Sequence, residues 1–142
     1  SIFDEMRRVN ARWEQIDRDG VVRWLGVVTE QEKWSLYAHA GCLLFPTLWE
    51  GFGLPVLEAM SVSKPVITTR CGAIPEVAGD AAIYIDPENT EAIAFAIAQV
   101  LLVPEGTALM REEGVRRAKK FSWESAAKKT LDIIRASSAN RR

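Results

Sequence analysis

The chain has 142 residues, 48% of them hydrophobic and 26% charged, with a formal net charge of −1. This is the composition of a soluble globular domain with one ordinary core, and no run approaches the roughly 18 apolar residues of a membrane-spanning helix. No basic segment followed by an apolar one opens the chain, so a cytoplasmic location is expected. Cys42 and Cys71 lack metal-ligand spacing and are expected as free thiols of a reducing compartment.

In chain order, Phe3, Met6, Trp13 and Ile16 recur at helical spacing, and no cap precedes them. The chain therefore reads as opening inside an amphipathic helix. Residues 21–25, bounded by Asp19-Gly20 and Gly26, predict a first strand. Thr29 with Glu32 three residues on forms a capping box, and the helix it opens carries Trp34, Leu36, Tyr37 and Ala40 as its apolar side, ending at Gly41. Residues 42–45 predict a second, buried strand, 46–53 a loop, and 54–62 a short helix stopped before Pro65. Further strands are expected at 65–68 and 82–85, a single helical turn opened by Pro75 at 74–78, and helices at 90–103, 105–120 and 123–137, the last capped by Ser122. Residues 137–142 are expected to fray.

Strands that are apolar on both faces and alternate with helices argue an α/β fold: a Rossmann-like, doubly wound parallel sheet covered by helices. Four strands are few for such a sheet. Together with the uncapped first helix, that count predicts a partial domain over residues 1–142, without its first one or two strands.

The segment richest in chemistry is Glu50-Gly51-Phe52-Gly53-Leu54-Pro55-Val56-Leu57-Glu58, two carboxylates around a glycine-rich bend that opens a helix. Pro55 suits the first helical turn, and the glycines let backbone approach a ligand. The N–H groups of a helix start carry partial positive charge and suit a phosphate. The flanking carboxylates accept hydrogen bonds, so they suit hydroxyls. A diphosphate between two polyols, a nucleotide sugar, satisfies every part.

The stretch from Phe45 to Met60, with Val22-Arg23-Trp24-Leu25-Gly26, Leu36-Tyr37-Ala38-His39-Ala40, Lys64-Pro65-Val66-Ile67 and Gly72-Ala73-Ile74-Pro75-Glu76-Val77, resembles the retaining glycosyltransferases of the GT-B fold, family 4. The resemblance runs from about residue 21 to residue 123 and falls on that family's C-terminal, donor-binding domain. It implies that Glu50 faces the transferred sugar as the catalytic carboxylate and that Glu58 takes the ribose hydroxyls. The backbone of Gly51, Phe52, Gly53 and Leu54 would lie on the sugar and distal phosphate, and Gly26 and Val27 would frame the base. It further implies sugar transfer with retention from a nucleotide-sugar donor, GDP-mannose being slightly favoured over a UDP-sugar, to a glycan or glycolipid acceptor.

In that family no metal or other cofactor is required, because an upstream Arg and Lys join the helix start in stabilising the leaving diphosphate. Both would precede Ser1, as would the acceptor-binding N-terminal domain, so the chain alone is expected to be inactive. One departure is that Ala40-Gly41 stands where the family often has Ala-Asp.

Other residues read as structural. Asp17-Arg18-Asp19 resembles a DxD metal site but lies in a turn beside Gly20, and His39 is a surface or packing residue. Glu76 is read as capping its short turn, the rival being a contact with the donor, and Trp49 is the tryptophan placed to line a sugar pocket. Residues 111–142 hold ten Lys or Arg against four acids, the first 110 eight against fifteen. This basic tail reads as a solvated helix face, the rival being a docking surface for the missing domain or for an anionic membrane face, as peripheral association of the full enzyme would need. With few interleaved aromatics and no recognised binding motif, it does not read as a nucleic-acid site. Two rival functions are a non-catalytic nucleotide-sugar-binding or regulatory module and a receiver-like signalling domain. The second lacks the acidic cluster and late-strand lysine it needs.

Overall fold

The computed structural model describes residues 22–139. The expected opening helix and the turn at 17–19 lie outside them, as does Val21. The chain divides into two compact units, Ser1–Trp34 and Ser35–Arg142.

In the first unit, residues 22–29 form no strand, contrary to the reading of 21–25. An apolar run supplies strand propensity, but a strand also needs a sheet face to bury its side chains. Trp24 and Leu25 are 60% and 46% exposed. The capping box forms as expected: Thr29 Oγ1 accepts from the Glu32 amide at 3.2 Å, and Glu32 Oε2 accepts from the Thr29 amide at 2.8 Å. Bonds to that oxygen from the Thr29 amide and from the Thr29 hydroxyl, the latter also at 2.8 Å, hold the Glu32 carboxyl below its ordinary range. They start helix α1 (Glu30–His39), whose expected apolar side is only partly covered, with Leu36 46% exposed and Tyr37 half-buried.

The second unit continues with β1 (Leu43–Phe45), α2 (Leu54–Ser61), β2 (Val66–Thr68), α3 (Ile74–Ala78), β3 (Ile83–Tyr84), α4 (Thr90–Leu102), a 3₁₀ turn (Pro104–Thr107), α5 (Ala108–Ala118) and α6 (Trp123–Ala139). Each lies within a few residues of its sequence-predicted place. The first part of the helix expected at 105–120 is the 3₁₀ turn, and α6 runs past the fraying expected from Ser137. Asn89 Oδ1 caps α4 by accepting from the Ala92 amide at 2.9 Å, and Ser122 Oγ caps α6 by accepting from the Ser125 amide at 3.1 Å.

Among the described residues the sheet has three parallel strands in the order β1-β2-β3, with Leu43 opposite Val66 and Ile67 opposite Ile83. Because neighbouring side chains on a strand point to opposite faces, Val66 and Ile67 enter different cores. Val66 joins Val56, Ala59 and Met60 of α2 and Ile74, Val77 and Ala78 of α3, with Ala118 of α5. Ile67 joins Ala96 and Val100 of α4. Helices thus cover both faces, as the doubly wound reading requires. β1 is the outer strand on its side among the described residues, and Leu44 on it is 37% exposed, so the strand read as buried is only partly covered here.

A buried aliphatic side chain contributes roughly 1.5–3 kcal/mol, and the α2 face gains from one close approach. Gly114 of α5 lies where a Cβ would stand 3.3 Å from Met60 Cγ, so α5 closes tightly onto α2. All three strands end at the same edge, and the loops after β1 and β2 leave from it. In open parallel sheets this edge is where ligands bind.

Candidate functional site

Three hydroxyl and thiol groups tie the two loops together at that edge. Thr68 Oγ1 donates to the Phe45 carbonyl at 3.0 Å, Thr69 Oγ1 to the Thr47 carbonyl at 2.6 Å, and Cys71 Sγ to the same carbonyl at 3.7 Å. Below the Glu50 loop lies Gly72, with φ +51°, and the Ala73 amide donates to the Gly51 carbonyl at 3.2 Å. The loop is therefore held from beneath by the β2–α3 connection, in addition to the bonds it makes within itself.

Glu50 is half-buried. Its Oε1 accepts from its neighbours' amides, Gly51 at 2.9 Å and Phe52 at 3.4 Å. The sequence reading has the loop's amides pointing outward to a ligand, and for these two the structure corrects it. A short acidic side chain beside two glycine-loosened amides satisfies them locally. Both bonds fall on Oε1, which leaves Oε2 to accept from a hydroxyl.

Gly53 precedes α2 with φ +88° and ψ +42°, and no side chain caps the helix. Its left-handed backbone and its contact with Ile74, whose Cγ1 would be 3.0 Å from an added Cβ, both select glycine. Pro55 contributes no amide, so the amides of Leu54 and Val56 are the ones that the start of α2 offers to an anion.

Glu58 is the fifth residue of α2. The first helical bond runs from the Leu57 amide to the Gly53 carbonyl at 3.1 Å, which puts Glu58 in the second turn. Its Oε2 accepts from the Tyr37 hydroxyl at 3.1 Å.

The segment from Glu50 to Glu58 thus gathers Glu50, Gly51, Phe52, Gly53, Leu54 and Glu58. Gly26, with φ +63°, and the fully exposed Val27 belong to the first unit. The Phe52 side chain is directed to the segment just before α6. It meets the Phe121 ring edge-on with centroids 5.8 Å apart and lines an apolar groove of about 420 Å³ with Leu57, Trp123 and Lys129. Its part in an anion site would be through backbone alone.

Trp49 is 92% exposed, and its amide is held by Thr47 Oγ1 at 3.3 Å. His39 Nδ1 bonds the Ser35 carbonyl at 2.8 Å within its own helix, in keeping with a surface role. The Glu76 side chain caps nothing, contrary to its reading; its carbonyl and that of Val77 accept from Arg117 of α5, the Val77 bond at 2.8 Å. Arg70, at the end of β2, stacks on the Tyr84 ring at 4.0 Å, and Tyr84 donates to the Gly79 carbonyl at 2.8 Å. Among the described residues no three His, Cys, Asp or Glu side chains come together as a metal site.

Sequence reasoning missed Tyr37, Gly72 and Arg117. Gly72 had a local signal, a glycine between a strand and a proline-opened turn. Tyr37 and Arg117 act 21 and 40 residues away along the chain, beyond the reach of any local pattern.

The family described as Glycosyl transferases group 1 matches residues 4–102, which include the whole Glu50–Glu58 segment. O-antigen chain mannosyltransferase B of Escherichia coli is 37% identical over 126 residues, 87% of this chain and 33% of that protein. MMP alpha-(1->4)-mannosyltransferase of Mycolicibacterium hassiacum is 33% identical over 110 residues, 75% of this chain and 27% of that protein. Sucrose-phosphate synthase from Thermosynechococcus elongatus superposes with a TM-score of 0.83 at 24% identity, over 96% of this chain and 35% of that one, and shares its fold. The chain spans about a third of the length of these proteins.

Proposed function

The chain belongs to the Glycosyl transferases group 1 family, and from that premise we propose that it carries the donor half of a retaining glycosyltransferase, binding a nucleotide sugar at the Glu50–Glu58 segment. The observation that carries this reading is the uncapped start of α2 at Gly53, with one carboxylate before it and one in its second turn. A diphosphate would lie on the Leu54 and Val56 amides, where the helix dipole favours negative charge. Glu50 Oε2 would accept from a hydroxyl of the transferred sugar and so hold its reacting anomeric carbon in place. Glu58 would accept from the ribose diol, and Gly26 and Val27 would frame the base.

As the glycosidic bond to the diphosphate breaks, negative charge grows on the leaving oxygen. Fixed amide dipoles stabilise that charge without reorganising. An upstream Arg and Lys would complete the task, so the reaction is proposed to need no divalent metal. The acceptor is a glycan or glycolipid taken by a separate N-terminal domain, with the enzyme in the cytoplasm or at the inner membrane face. A mannosyl donor is favoured because two relatives are mannosyltransferases by name, and GDP-mannose is the first donor to test.

The test is proton NMR of the purified full-length protein with GDP-mannose, GDP-glucose and the common UDP-sugars. Release of nucleoside diphosphate with the sugar's anomeric configuration kept in the first-formed product supports the reading. Inversion, or no release from any donor, sinks it.

A further inference from the structure

We propose that Tyr37 is a positioning residue for the donor's ribose, acting through Glu58. The inference rests on the donor-site reading above and adds to it a residue from a different helix. Tyr37 lies on α1, ahead of the sheet, and its ring packs half-buried against the core formed by α2 and α3. From there its hydroxyl reaches Oε2 of Glu58 on α2 at 3.1 Å, across 21 residues of sequence.

A glutamate has three side-chain torsions, and an unsupported one must be ordered when a ligand binds. The tyrosine ring is anchored by packing, so its hydroxyl is a fixed donor. It sets the rotation of the Glu58 carboxylate before any ligand arrives. A vicinal diol is recognised only when the carboxylate plane faces both hydroxyls, so orientation matters more here than charge.

Glu58 stands in the second turn of α2, too far along to be held by the helix start. Tyr37 supplies the restraint that the helix end does not. Its effect belongs in donor affinity and in discrimination for the ribose diol, not in the bond-breaking step, which takes place at the Glu50 end of the segment.

The experiment is calorimetric titration of the purified full-length protein with GDP and UDP and with their 2′,3′-dideoxy forms, for the native sequence, Tyr37→Phe, Glu58→Ala and the double variant. Tyr37→Phe keeps the ring and its packing, and a melting temperature within a degree or two of native checks this. We expect the native protein to prefer the diol form, Glu58→Ala to abolish that preference, and Tyr37→Phe to reduce it by roughly tenfold, the size of one hydrogen bond to a charged group. The double variant should be no worse than Glu58→Ala alone, and in turnover the Tyr37→Phe effect should sit in donor KM rather than kcat. If Glu58→Ala keeps the preference, the ribose reading itself falls, and the proposal with it. If Glu58→Ala loses it while Tyr37→Phe keeps it in full, the ribose reading stands and the role of Tyr37 is overturned.

Discussion

The backbone of Glu50 rests on Gly72: a Cβ built on Gly72 would stand 1.8 Å from the Glu50 carbonyl oxygen, and its φ of +51° is one that other residues seldom adopt. The Glu50 loop after β1 is thus seated on the loop after β2, and only a residue without a side chain allows the seat. Gly72→Ala is expected to lower stability by roughly 2 kcal/mol or more, from the left-handed backbone and the displaced carbonyl together. Turnover should fall further than the remaining folded fraction explains. Thermal unfolding and initial rates measured on the same preparation check this; a native melting temperature with native turnover would contradict the seating.

The second support is Arg117, whose guanidinium spans the carbonyls of Glu76 and Val77 at the end of α3. Since α3 begins at Ile74, which packs on Gly53, the contact helps fix the floor of the site from behind. Arg117→Ala should destabilise the protein by about 1.5–3 kcal/mol, the usual worth of hydrogen bonds from a charged group. Arg117→Lys should restore little of it, because an ammonium cannot span two carbonyls as a planar fork does. Denaturant unfolding of the three proteins distinguishes them, and equal midpoints for Lys and Arg would refute the fork.

Burial pushes the Cys42 thiol up from its ordinary value. An acid whose pKa is raised in the folded state stabilises that state while it stays neutral, and this contribution is lost as pH rises through the folded value. Cys42 should therefore alkylate with iodoacetamide more slowly at pH 8 than a free thiol does, and stability should decline on the alkaline side of the ordinary thiol range. Rates followed by mass spectrometry, with Cys71→Ser to isolate the signal, test the first part. A Cys42 rate equal to that of a free thiol would be the contrary result.

Much of this architecture was legible in the chain because its signals are local. The Thr29–Glu32 box, Pro55 and Pro75 at helix starts, Ser122 before the last helix and the apolar runs of the three strands each act within a few residues, and each appears in place. The Glu50–Glu58 segment was legible for the same reason.

What escaped is whatever depends on a partner distant in sequence. Residues 22–25 have strand-like side chains but no strand, because pairing is not a property of the run itself. The Gly51 and Phe52 amides were read as open because nothing in the sequence says which way the Glu50 carboxylate turns. Tyr37 and Arg117 looked like one more helical aromatic and one more basic residue until the fold brought them to Glu58 and to α3.

The central claim is that Glu58 holds the nucleoside and Glu50 serves the transferred sugar. It is tested most directly by titrating the purified full-length protein with GDP and with UDP, native and as Glu58→Ala and Glu50→Gln, with turnover measured alongside. The account predicts that one nucleoside diphosphate binds the native protein, that Glu58→Ala weakens it by about tenfold or more, and that Glu50→Gln changes affinity little while lowering kcat. Absence of binding at millimolar nucleotide, or equal losses of affinity and turnover in both variants, would contradict it.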